Sequence, residues 1–144
     1  MFLILCCVNT LVFGQLTYDT YCNSRFDYCV EYPTTLEPQP EAENGDGRLF
    51  ISKNKKVKLF AWANISLDED LESKLETTIR GEKVVYKAVK KDWFIVSGYN
   101  KDGNIFYQKT ILSNGIFKTV LLEYPIAEKP TYDKVCEKLA KSFK

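Results

Sequence analysis

Across residues 83–124 the apolar positions fall into four runs separated by three polar turns. The turns are Lys91-Asp92, Asn100-Lys101-Asp102-Gly103 and Asn114-Gly115. Between them Val, Ile, Phe, Tyr, Trp and Thr dominate, residues that suit a pleated, half-buried surface. Asn-Gly is the strongest short hairpin signal, because both residues accept the positive φ of a type I′ turn. Strands joined by such short turns run antiparallel, so the block predicts a four-stranded meander.

Upstream, residues 16–32 read as a hairpin-like strand turning near Asn23-Ser24-Arg25. Pro33 stops it, since proline cannot donate to a ladder. Residues 34–47 gather Pro38, Pro40 and four acids (Glu37, Glu41, Glu43 and Asp46), and read as one exposed loop. A second hairpin is predicted from residues 48–52 and 56–64 around Lys53-Asn54-Lys55. In its second strand Val57, Leu59, Ala61 and Ala63 share one face, while Phe60 and Trp62 share the other with Lys56 and Lys58. Apolar residues on both faces predict cover on both sides of the sheet.

Two stretches change period from two to between three and four. Ser66-Leu67-Asp68-Glu69 has the form of a capping box. Leu67, Leu71, Leu75 and Ile79 then make a stripe that Gly81 is placed to end. At the other end Thr131 is the expected cap of a helix. Its buried face would be Tyr132, Val135, Cys136, Leu139, Ala140 and Phe143. The expected fold is therefore α+β: an antiparallel sheet of six or seven strands, with the meander at its centre and two main helices packed on it.

Residues 1–14 are apolar, uncharged and too short to span a bilayer, which needs about 20 apolar residues. They read as a secretory signal peptide cut after Gly14, against the alternative of a buried N-terminal strand or helix. The missing basic residue near the start departs from that pattern. Residues 15–144 would then form one domain without a stable membrane anchor. With the leader go Cys6 and Cys7, leaving Cys22, Cys29 and Cys136. In an oxidising compartment Cys22 and Cys29 make a local disulfide; otherwise they are two thiols in a hairpin. Closing so short a loop contributes about 2.5 kcal/mol in the chain-entropy account. Cys136 reads as core filler rather than nucleophile.

Charge and candidate chemistry narrow the function without assigning it. Twenty basic residues against nineteen acidic ones imply no polyanionic partner, and histidine is missing altogether. The run Lys53, Lys55, Lys56 and Lys58 beside Phe60 and Trp62 reads as the guard of an edge strand, not a nucleic-acid patch. Asp68, Glu69, Asp70 and Glu72 crowd a helix start, where the dipole already favours them. The acids of residues 41–46 lack the spacing of an EF-hand and read as a polar turn rather than a calcium loop. No serine has a histidine partner or a nucleophile elbow. No catalytic residue, cofactor or metal is expected. The one unexplained feature is the long loop itself, with Leu36 as apolar anchor and Glu37, Glu41, Glu43 and Asp46 as its charges.

Tyr21-Cys22-Asn23-Ser24-Arg25-Phe26, Cys29-Val30-Glu31-Tyr32-Pro33 and Asn44-Gly45-Asp46-Gly47-Arg48 carry a resemblance, with the ending from Glu123-Tyr124-Pro125 to Ser142-Phe143. They resemble a group of small secreted bacterial proteins of uncharacterised function with an order of elements similar to the PsbP-like fold. The resemblance implies a non-enzymatic, secreted or periplasmic module that binds another protein. It carries over no functional residue, because the matched positions are turns and strand ends. The alternative is a small-ligand or lipid carrier with a cavity between helix and sheet.

Overall fold

The computed structural model describes residues 14–144; the leader expected over residues 1–14 lies, except for Gly14, outside them. Nine strands and two helices follow in the order β1 (Tyr18–Asn23), β2 (Tyr28–Pro33), β3 (Leu36–Pro38), β4 (Gly47–Ser52), β5 (Lys58–Ile65), α1 (Leu71–Ile79), β6 (Lys83–Val89), β7 (Trp93–Tyr99), β8 (Ile105–Ser113), β9 (Ile116–Tyr124) and α2 (Lys129–Ser142). Strands β3 to β9 make one seven-stranded antiparallel sheet in the order β3-β4-β5-β9-β8-β7-β6. Strands β1 and β2 form a separate hairpin. The α+β expectation and the four strands of the meander stand, each between the turns that the sequence marks.

One face of the large sheet is closed by two elements. Val57, Leu59, Ala61, Ala63, Val120, Leu122 and Tyr124 pack there against Tyr132, Val135, Leu139 and Phe143 of α2 and against Tyr21, Tyr28, Val30 and Tyr32 of the hairpin. Across the hairpin Cys22 lies opposite Cys29 and the two form a disulfide. Lys109 reaches from β8 to the end of α2 and donates to the carbonyls of Ala140 (2.9 Å) and Phe143 (2.6 Å). A cation there meets the negative end of the helix dipole, which offsets the burial of the ammonium.

The second face is covered by α1. Leu71 and Leu75 bury against Phe94, Val96, Phe106 and Phe117. Its start differs from the sequence expectation. Asp70, not Ser66, is the N-cap, and its carboxylate accepts from the Ser73 amide at 2.8 Å. Leu67 and Asp68 have positive φ (49° and 67°), and Leu67 is 85% exposed, outside the stripe. The cause is a tertiary contact: the Ser66 amide is spent on the Gly115 carbonyl in the turn between β8 and β9. The chain must turn once more before a helix can start.

Three further expectations change. Helix α2 begins at Lys129, with Pro130 in its first turn and a 3₁₀ turn (Ile126–Glu128) before it, so Thr131 is inside the helix and not its cap. Proline is tolerated there because first-turn amides have no helical acceptor. The lysines at 53, 55 and 56 flank the β4–β5 turn, and β5 with Lys58 lies inside the sheet, so they guard no edge. The edges are β3 and β6. Finally, residues 34–47 are not one loop, since β3 pairs with β4 through Leu36 opposite Ser52. Three residues are too few to show a period, and Pro38 is allowed because the strand is an edge.

Candidate interaction surface

The unexplained loop of the sequence is tied down at several points. Arg25, in the turn of the hairpin, pairs with Asp46 at 2.8 Å and also donates to the Asn44 carbonyl. The Tyr21 hydroxyl donates to Glu41. Asn23 donates to the Gly45 carbonyl at 2.9 Å and Tyr28 to that of Asp46 at 3.1 Å. Burial, with the carboxylate of Glu41 next, raises the Tyr21 phenol above its ordinary value and keeps it a donor. Residues 39–46 are thus a strap across the hairpin, and two of the four acids hold it.

Leu36 is not the exposed anchor that its position in an acidic loop suggested. It is 1% exposed and belongs to the main core. Leu36→Ala is accordingly expected to cost 2–5 kcal/mol of stability, read by urea unfolding, as for other buried leucines. A loss below about 1 kcal/mol would show that β3 is not docked as described. Glu37 and Glu43 keep exposed side chains.

The strap forms one wall of a shallow groove on the face that carries α1. Paired residues share a face, which puts Leu49, Phe60 and Leu121 in one row and Trp62 in the next. Opposite Trp62 stands Gly47, where an added Cβ would meet the Ala61 carbonyl at 2.0 Å. No side chain fits there, so the ring of Trp62 borders open space. The groove has a volume of about 370 Å³ and is lined by Pro40, Ala42, Leu49, Phe60 and Trp62, with Asp46 at its rim. Its long side carries charge, because the adjacent row runs Ile51, Lys58, Glu123. Helix α1 packs on β7, β8 and β9 and leaves Phe60 and Trp62 half-exposed.

The other groups that could do chemistry are occupied. Burial pushes the Cys136 thiol up to about 12, and the Tyr124 hydroxyl lies 3.6 Å from its sulfur. The space between α2 and the sheet is filled by Tyr132, Val135, Leu139 and Phe143, all buried. Asp70 is held below the usual carboxylate range by the Ser73 amide, as a cap should be. Among the described residues no group of three or more acidic, cysteine or histidine side chains is placed to hold a metal, and no helix is long and apolar enough to cross a membrane.

No family model and no curated protein matches this chain. Among solved structures it is similar to the solution structure of cyanobacterial PsbP (CyanoP) from Synechocystis sp. PCC 6803. The TM-score is 0.64 at 12% identity, over 96% of this chain and 98% of that one. The fold is PsbP-like; at such identity the likeness speaks for the fold alone. Alternation along the sequence places Phe60 and Trp62 on one face and predicts cover over it; in the structure both stay half-exposed. The signal that could have shown otherwise is the shortness of the helix that Gly81 ends, too short to cover the whole face of a seven-stranded sheet.

Proposed function

We propose that this chain is a non-enzymatic binding module for another protein, acting in a secreted or periplasmic setting. Its contact surface is the groove of Leu49, Phe60 and Trp62 together with the strap of residues 39–46. The observation that carries this reading is the uncovered apolar row beside α1, rimmed by Lys58, Glu123 and Asp46. An apolar centre with a charged rim is how protein interfaces are built, and aromatic anchors supply most of their energy. Glu43 and Glu37 lie free for a basic rim on the partner. The Cys22–Cys29 disulfide supports an oxidising compartment.

The test is capture from the native host by a photo-crosslinker placed at Phe60, with and without Trp62→Glu. Both positions are half-exposed, so the fold should survive, which a thermal melt checks. One defined partner should be crosslinked, and the charge at 62 should weaken capture about 100-fold or more, as for a central anchor. Equal capture by both proteins would remove the groove as the contact site.

A further inference from the structure

The far edge of the sheet has a different character. Strand β6 pairs only with β7, so the backbone groups along its other side have no partner in the sheet. Such an edge is a template for another strand unless it is guarded. The opposite edge, β3, is guarded by being three residues long and ending in proline. Strand β6 is seven residues long, contains no proline and exposes large apolar side chains: Val85 is 66% exposed, Tyr86 56% and Val89 49%. Burial within this chain does not account for those three residues. A β-bulge at Val85, between Val84 and Tyr86, turns one of them out of the ladder, and with the lysines of the strand it guards this edge against another copy of itself rather than against an oppositely charged segment.

Charge decides what fits. Residues 83–91 carry Lys83, Lys87, Lys90 and Lys91 and not one acid. The acids that border the strand, Glu82 and Asp92, lie just outside it at either end. Pairing of β6 with β6 of a second copy would bring Lys83 and Lys87 of each into one ribbon, with Lys90 and Lys91 just past its end, and like charges across a ladder are unfavourable. An extended segment that alternates acidic and apolar residues meets the opposite situation, with carboxylates facing lysines and its apolar side chains lying beside Val85, Tyr86 and Val89. We propose that β6 is a strand-addition site for an extended acidic segment of another protein, separate from the Phe60–Trp62 groove. Main-chain hydrogen bonds would supply the affinity, and the lysines the choice of partner.

Panning a phage-displayed library of random nine-residue peptides against the oxidised full chain tests this. Recovered peptides should alternate apolar residues with Asp or Glu. A synthetic copy of the best should slow hydrogen exchange at the amides of β6 and bind at least about tenfold more weakly to Lys87→Glu/Lys90→Glu. Trp62→Glu should leave its binding unchanged. The proposal is overturned by an empty selection, by peptides without acidic enrichment, by protection elsewhere in the chain, or by sedimentation of the free chain as a dimer with β6 protected.

Discussion

Phe50→Ala should be among the most damaging single substitutions in this chain, costing 3–5 kcal/mol. Phe50 has no exposure, and its ring is a point of contact between the large sheet and both strands of the small hairpin. Its ring meets Tyr21 edge-on at 5.8 Å between centroids and lies 4.3 Å from Tyr32, one contact to each strand of the hairpin. Removing it forfeits buried area, two aromatic contacts and the fit of the hairpin at once. Urea unfolding gives the loss, and hydrogen exchange shows where it falls. Amides of β1 and β2 should open before those of β5 and β9. A loss under about 1.5 kcal/mol, or uniform opening, would mean the hairpin is held mainly by α2.

Alkaline instability is the second large effect. Burial raises the phenols of Tyr28, Tyr107 and Tyr124 above the ordinary tyrosine value of 10, and the Cys136 thiol to about 12 from an ordinary 9. A group whose value is raised in the folded state keeps its proton there while the unfolded chain releases it. Stability is therefore complete below pH 9 and falls as pH rises, first through Cys136 and then more steeply from pH 10. Three tyrosines that ionise only when unfolded remove about 4 kcal/mol by pH 11, a large share of the 5–15 kcal/mol typical of a domain. Lys109 acts the other way. Burial lowers its value, so its cost is relieved as pH rises, but it is one group against four. Urea midpoints measured from pH 7 to pH 11 should hold and then drop. An unchanged midpoint at pH 11 would contradict this.

Legibility in the sequence followed the length of each element and the chemistry of its ends. Strands β6 to β9 were readable because turn residues bracket runs of seven to nine. The three residues of β3 show no period, and the prolines and acids of residues 37–46 outweigh the one apolar side chain that matters, Leu36. At α1 the pattern Ser66 to Glu69 competes with Asp70 and Ser73 for the same role. The tie is broken by Gly115, distant in sequence, which takes the Ser66 amide. The groove was half legible. Alternation tells which side chains share a face, so Phe60 and Trp62 were paired correctly. Whether another element reaches over that face depends on where α1 lands and how far it extends, and no local pattern records that.

The large sheet consists of two meanders, β3-β4-β5 and β6-β7-β8-β9, and the only ladder between them is β5 against β9. Every other ladder in it joins strands adjacent in the chain, whereas this one brings Ile65 to Ile116 and Lys58 to Glu123. Each meander is thus a local object that can assemble without reference to the other. The loop-closure entropy of the large sheet falls almost wholly on that one seam, with α1 inside the loop being closed. Non-local pairing of this sort governs how fast small domains fold. The rate at which this chain reaches its native state is then set by the meeting of β5 and β9, the same step that sets Phe60 of the groove beside Leu121 and leaves the β6 edge untouched.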